Sequence, residues 1–383
     1  MLRPLSWLAS LLLLSACSHH PEPPASLDSR IDQLVAGAYQ PPRLAVQGWH
    51  AEWTLDDEVM DVDWLAPAQA SALPVILYLP GLGEDSRAGE PWRRAWAQAG
   101  YAVLSVQAHR DGRSIYASKE AQAGAFQGIA RRAYAADALQ RRLVQLDLVL
   151  REARRRASAG DDAFSRVDWH RQAVAGFDLG TQTAVALSTG QHGWAPRVAI
   201  LLSPYAPAPE LARQVSIPLL GVSGQADEDP FSNWVTPAQR HQMFWQHIEA
   251  AGSYQLLLDR MTHAQLGGTF AAEPGRAAGD RPHARPGTGG APGGGPGMGG
   301  GQGEPGGSAR SAERRNEGGG RERYGRGGEG EVDPRRAAIL LATSVAFLDT
   351  CLRNDAEARH WLEWEANRWM TPGARLEAKT RTP

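Results

Sequence analysis

Gly176-Phe177-Asp178-Leu179-Gly180 decides the fold. The pentapeptide follows the apolar run Ala173-Val174-Ala175 and precedes a helix-forming stretch at 181–187. Strand, then small–x–residue–x–small, then helix is the layout of a nucleophile elbow, in which the central side chain stands on a strained turn above a parallel sheet. The usual central residue is Ser, and this chain carries Asp178. Asp is also a favoured helix N-cap, so the pentapeptide alone equally fits a carboxylate that only caps the following helix.

Upstream, residues 133–157 place Leu139, Leu143, Leu146 and Leu150 on one helical face and arginines on the other. Residues 110–132 are polar and weakly periodic, and read as a loop or small lid. Before them come a strand at 101–106, a helix at 92–99 and an apolar strand at 74–79 that opens into Pro80-Gly81-Leu82-Gly83. Two alternating runs around Asp56-Asp57, within 43–67, read as an antiparallel hairpin. Downstream, strands fall at 198–202 and 217–223. The loop between them, 203–216, is too short for a large cap domain. Thr236-Pro237 starts a helix, with Thr as N-cap and Pro in first position, and 254–259 reads as the last strand. This alternation predicts an α/β fold with a mostly parallel central sheet and helices on both faces.

The chain has 383 residues, a formal net charge of −2 and two cysteines, Cys17 and Cys351, so nothing points to a nucleic-acid partner or an internal disulfide. Residues 274–332 hold more than half of the 42 glycines and cannot bury enough apolar surface to fold. They carry the patch Arg323-Tyr324-Gly325-Arg326-Gly327-Gly328, of a kind seen in RNA-binding tails. A solvated, disordered insertion is the better reading for an exported chain. Helices resume at Asp333-Pro334 and complete the domain by about residue 371. The expected organisation is a signal at 1–17, a tether at 18–40, a core at 41–273, the insertion, and C-terminal helices at 333–371. Trp92, Trp96 and Trp194 read as packing, and Trp361, Trp364 and Trp369 as docking for the final helix.

Arg3 and the apolar stretch at 5–14 form a secretion signal too short for the roughly 20 residues a spanning helix needs. Leu14-Ser15-Ala16-Cys17 resembles a bacterial lipoprotein signal. That resemblance implies lipid attachment at Cys17, a membrane held through that lipid, and, with Ser18 next, the periplasmic face of the outer membrane.

Asp178, Asp227 and His263 occur in the order nucleophile, acid, base, each just after an expected strand. The carboxyl ends of parallel strands line the crevice of an open α/β sheet, so these side chains should converge. Glu228 and Asp229 compete with Asp227, which the spacing in Gly224-Gln225-Ala226-Asp227 favours. The stretches P-G-L-G-E-D-S, G-F-D-L-G-T, G-Q-A-D-E-D-P and T-H-A-Q-L-G-G, with A-F-L-D-T-C-L beyond the Gly-rich segment, resemble the α/β-hydrolase superfamily. Within it the chain is most similar to the dienelactone hydrolase and platelet-activating-factor acetylhydrolase groups. The resemblance covers residues 75–369 apart from the insertion. It implies the α/β-hydrolase fold, an Asp178–Asp227–His263 triad, and an oxyanion hole from the backbone N–H groups of Leu82 and Leu179.

Two positions depart from the family pattern: Asp178 replaces Ser or Cys, and Pro80-Gly81 replaces His-Gly. An elbow Asp resembles that of haloalkane dehalogenases and epoxide hydrolases, which displace at an sp³ carbon and then hydrolyse the aspartyl ester. The Trp that follows the dehalogenase Asp is here Leu179. The cap that carries epoxide-polarising tyrosines is absent, with Tyr116 or Tyr134 as possible substitutes. The expectation is a lipid-anchored hydrolase of a small organic substrate, without metal or cofactor. Two alternatives stay open: an inactive binding or scaffolding lipoprotein, and an ester or lactone hydrolase.

Overall fold

The computed structural model describes residues 27–190, 192–205, 209–228, 245–269 and 333–379. The Cys17 lipidation signal, the helix expected at Thr236, Asp229 and the insertion at 274–332 lie outside the described residues. Nine strands form one sheet: β1 Val46–Leu55, β2 Glu58–Pro67, β3 Leu73–Leu79, β4 Ala102–Ala108, β5 Val167–Phe177, β6 Val198–Leu202, β7 Leu219–Ala226, β8 Tyr254–Thr262 and β9 Ala374–Ala378. The order across the sheet is β1-β2-β4-β3-β5-β6-β7-β8-β9. From β4 through β8 every pairing is parallel, while β1–β2, β2–β4 and β8–β9 are antiparallel. The chain is an α/β protein with a mostly parallel central sheet and interleaved helices.

The helices, in order, are α1 Leu27–Leu34, α2 Glu90–Gln98, α3 Lys119–Gln122, α4 Phe126–Ala133, α5 Ala136–Ser158, α6 Leu179–Leu187, α7 Pro209–Arg213, α8 His263–Leu266, α9 Pro334–Leu348, α10 Ala356–His360 and α11 Ala366–Met370. Successive strand side chains point to opposite faces. On one face Val75, Leu77 and Leu79 join Leu143, Leu146 and Leu150 of α5 and Ala184 and Leu187 of α6 in a single core. On the other, Tyr78 packs on Trp96 of α2, whose indole N–H donates to Ser344 of α9 at 3.0 Å. Both faces of β3 are therefore covered. This is why its sequence is an unbroken apolar run rather than an alternating one.

Three expectations need correction. First, strand β9 follows the segment read as last, and lies antiparallel on β8 beyond residue 371. Its sequence, A-R-L-E-A, buries only Leu376 deeply, so one apolar residue among charged ones gave little signal. Second, the tether at 18–40 is not all tether. It contains α1, which packs on α9; Ile31 of α1 is buried, and Arg335 donates to the Leu34 carbonyl at 2.9 Å. Third, the lid at 110–132 has two short 3₁₀ turns, His109–Asp111 and Arg113–Ala117, followed by α3 and α4. Pieces this short cannot show helical periodicity.

Trp92, Trp96 and Trp194 are buried packing residues as expected, whereas Trp364 is 72% exposed. Among the described residues no helix is long and apolar enough to cross a membrane.

Candidate functional site

The elbow is built by close approach. A Cβ at Gly176 would stand 2.5 Å from the Gly180 carbonyl carbon and oxygen, and one at Gly180 would stand 2.0 Å from the Leu79 oxygen. Only glycine at both positions lets α6 start immediately after β5. Between them Asp178 takes φ 48° and ψ −111°, a conformation that costs a non-glycine residue on the order of 1–3 kcal/mol. Its side chain makes no capping hydrogen bond to α6, so the N-cap reading does not account for it.

Instead the carboxylate, 2% exposed, faces the site. Asp178 Oδ2 accepts from the Leu82 N–H at 3.4 Å, on the turn after β3. Asp178 Oδ1 accepts from the Tyr134 hydroxyl at 2.7 Å and lies 4.0 Å from His263 Nε2. Leu179 is the first residue of α6, and its N–H belongs to the helix's first turn, whose donors have no partner within the helix.

His263 stands at the start of α8, behind a Thr262–Gln265 capping box that fixes how the helix leaves β8. Its Nδ1 is 2.9 Å from Asp227 Oδ1, and Asp227 is fully buried. Glu228, the competing acid, is exposed. The three residues singled out from sequence therefore converge, with the imidazole between the two carboxylates. The ring also lies on Phe177, at 4.7 Å between centroids.

Two participants were not singled out. Ser203, at the end of β6 with φ 51°, donates to Asp227 Oδ1 at 2.8 Å and lies 2.9 Å from His263 Nδ1. One carboxylate oxygen thus serves both the imidazole and a hydroxyl, which fixes the side of the ring facing away from Asp178. No pattern in the sequence marks this serine. Glu84 accepts from the Gly81 N–H at 2.9 Å within the quoted P-G-L-G-E-D-S stretch. Its only sequence signal was proximity to the turn.

The lid meets the site through Tyr134, whose ring lies against Tyr205 at 4.4 Å between centroids, tilted by 34°. Arg142 of α5 holds this arrangement from below. It donates to the Ala133 carbonyl at 2.7 Å, to Thr183 Oγ1 at 2.9 Å and to Gln182 Oε1 at 2.6 Å, and Gln182 in turn donates to the Tyr134 carbonyl at 2.9 Å. Arg142→Ala leaves these acceptors unpaired in a buried place. It should cost about 2–3 kcal/mol in urea unfolding, while loosening Tyr134 from Asp178. A midpoint unchanged from wild type would show that Arg142 does not tie the lid to α6.

Among the described residues no group of three or more His, Cys, Asp or Glu side chains is arranged to hold a metal ion. No protein-family model matches the chain, and no curated protein matches it in sequence.

Proposed function

We infer that this chain is a hydrolase with the α/β-hydrolase fold, in which Asp178 attacks an sp³ carbon of a small organic substrate and His263 serves the hydrolysis that follows. The observation that carries the reading is the position of His263: Nδ1 at 2.9 Å from Asp227, and Nε2 4.0 Å from Asp178 Oδ1. The strand order, the elbow and the chain order of the three residues support the same superfamily. Oδ2, facing the Leu82 N–H, is the oxygen that becomes the ester carbonyl, and the Leu82 and Leu179 amides then hold the oxyanion.

The chemistry divides into two steps. Oδ1 bonds to carbon while the bond to the leaving group breaks, and the leaving atom keeps the electron pair. A carboxylate is already ionised at neutral pH and needs no base for this. Water then attacks the ester carbon Cγ and gives its proton to His263, whose cationic form Asp227 supports. A substrate entering between Tyr134 and Asp178 would meet a phenol already aimed at Oδ1, a ready proton donor for an epoxide oxygen. Attack on an ordinary ester would instead give a mixed anhydride, which disfavours the ester and lactone reading. The N-terminal signal supports export, a lipid anchor at Cys17 and a place on the periplasmic face of the outer membrane.

The second reading, an inactive binding or scaffolding lipoprotein, is favoured by the Tyr134 hydrogen bond that occupies Oδ1 in the free protein. Turnover of pooled alkyl halides, epoxides, lactones and esters in ¹⁸O-water separates the two. The proposed route expects label in the peptide containing Asp178, because water attacks Cγ. Turnover without label would refute the aspartyl ester. No turnover, with esterase activity emerging in Asp178→Ser, would favour a protein that has lost its chemistry.

A further inference from the structure

Glu84 lies inside the site. Its Oε2 accepts from the Gly81 N–H, and the next amide along, that of Leu82, faces Asp178 Oδ2. Two consecutive backbone donors thus serve two different carboxylates, which brings the pair together across one short turn. Room for Glu84 comes from two glycines far apart in sequence. A Cβ at Gly81 would stand 3.2 Å from Glu84 Oε2, and one at Gly267 would stand 3.3 Å from Oε1. The same two atoms would press on the Phe177 ring at 2.9 and 2.8 Å, and that ring backs onto His263. The Glu84 carboxyl therefore sits, half-buried, between the oxyanion turn, the elbow phenylalanine and the loop that follows the base.

Resting on the hydrolase reading above, we propose that Glu84 is the charge partner of Asp178: the pair carries one negative charge, on Asp178 in the free protein and on Glu84 while Asp178 is esterified. The ionisable groups facing Glu84 are Asp178 on the elbow, His263 on α8, Asp85 on its own turn, Tyr78 of β3 and Tyr116 of the lid. Only His263 among them can bring positive charge. Burial, reinforced by the negative charge of Asp178, pushes the Glu84 carboxyl from 4.5 up to about 7, against the pull of the Gly81 N–H and His263. Esterification removes the Asp178 charge and with it one reason for Glu84 to stay protonated.

The protons balance. In the first step the Tyr134 phenol protonates an epoxide oxygen and regains its proton from Glu84 through water; where a halide leaves, the Glu84 proton passes to water. In the second, His263 takes a proton from water and returns it to the departing alkoxide. The proton left on the new Asp178 carboxyl passes to Glu84. During that step the Glu84 carboxylate stabilises the imidazolium, so Glu84 acts through its neighbours as a positioning residue.

The test is a carboxyl titration by NMR of full-length protein carrying ¹³C-labelled glutamate, from about pH 4 to about pH 9, a range that spans the ordinary and the raised values. One resonance should titrate near neutrality, disappear in Glu84→Gln, and move down by about one pH unit in Asp178→Asn. No glutamate titrating above the ordinary range, or a midpoint unmoved by Asp178→Asn, would overturn the proposal. Thermal unfolding gives a second readout should Asp178→Asn fold poorly. The folded value lies above the unfolded one, so wild type should lose stability relative to Glu84→Gln as pH rises from 4.5 to about 7. Parallel curves for the two proteins would overturn it equally. Neither measurement needs a substrate, so each can fail while Asp178 takes up ¹⁸O, or hold while it does not.

Discussion

Replacing His263 by phenylalanine should leave the protein stranded as an aspartyl ester. The first step uses a carboxylate that needs no base, so Asp178 should still react with a competent halide or epoxide. The second step needs a base at Nε2, the nitrogen 4.0 Å from Asp178 Oδ1. Turnover should fall by on the order of 10²–10⁴-fold, the usual worth of a positioned general base. Intact-mass measurement should meanwhile show one substrate fragment per chain, mapped to the peptide containing Asp178. Phenylalanine is close to the imidazole in shape and keeps the ring against Phe177.

The cost falls on Asp227. It is fully buried, its Oδ2 has no hydrogen-bond partner among the described residues, and its Oδ1 would keep only the Ser203 hydroxyl. A buried charge that loses its partner costs about 3–5 kcal/mol, so His263→Phe should also melt lower. His263→Gln, which can still donate toward Asp227, separates the two effects: it should recover part of the stability and none of the turnover. If either variant turned over at the wild-type rate, His263 would not be the base. If turnover fell and no adduct formed, the two-step route through Asp178 would be wrong.

The legible parts of this site were those set by one local rule. Gly176 and Gly180 flank a residue at strand end and helix start, and Asp227 and His263 follow strands. Sequence alone could place all three candidate side chains at the carboxyl edge of one sheet. Ser203 and Glu84 were not legible, for a common physical reason. Ser203 matters because its backbone turns to φ 51° and delivers a hydroxyl to Asp227, which a lone Ser after a strand does not announce. Glu84 fits beside the site only because Gly267 leaves space for it from the far side. Such a relation exists between distant segments, and no window of sequence contains it. Strand β9 was missed for lack of local information. It is a short edge strand whose charged residues suit a position half open to water, and it pairs only because β8 offers it an edge. The tether ends sooner than expected because α1 is short, and among its residues whose burial is described only Ile31 is buried.

Gly180→Ala should be among the most damaging single methyls at the described glycines, matched in closeness of backbone clash by Gly224. The added Cβ would stand 2.0 Å from the Leu79 oxygen, 2.7 Å from its carbonyl carbon and 2.9 Å from the Pro80 oxygen. These are backbone atoms at the end of β3, in the core of the sheet, and no rotamer change can move them aside. Relief requires α6 to shift away from β3, and that shift separates Asp178, at the head of α6, from Leu82, two residues after Pro80. The same methyl therefore strikes stability and chemistry together. Overpacking of a core costs about 1–3 kcal/mol, and a clash confined to backbone should reach about 3 kcal/mol or more. Gly190→Ala supplies the control. Gly190 has φ +76° and nothing within 4 Å of an added Cβ, so it isolates the left-handed backbone penalty of about 1–2 kcal/mol. Chemical denaturation should rank Gly180→Ala well below Gly190→Ala, and the Gly180 variant should not take up ¹⁸O at Asp178 even where it remains folded. Equal midpoints for the two variants would mean that α6 does not approach β3 as closely as presenting Asp178 beside the Leu82 amide demands.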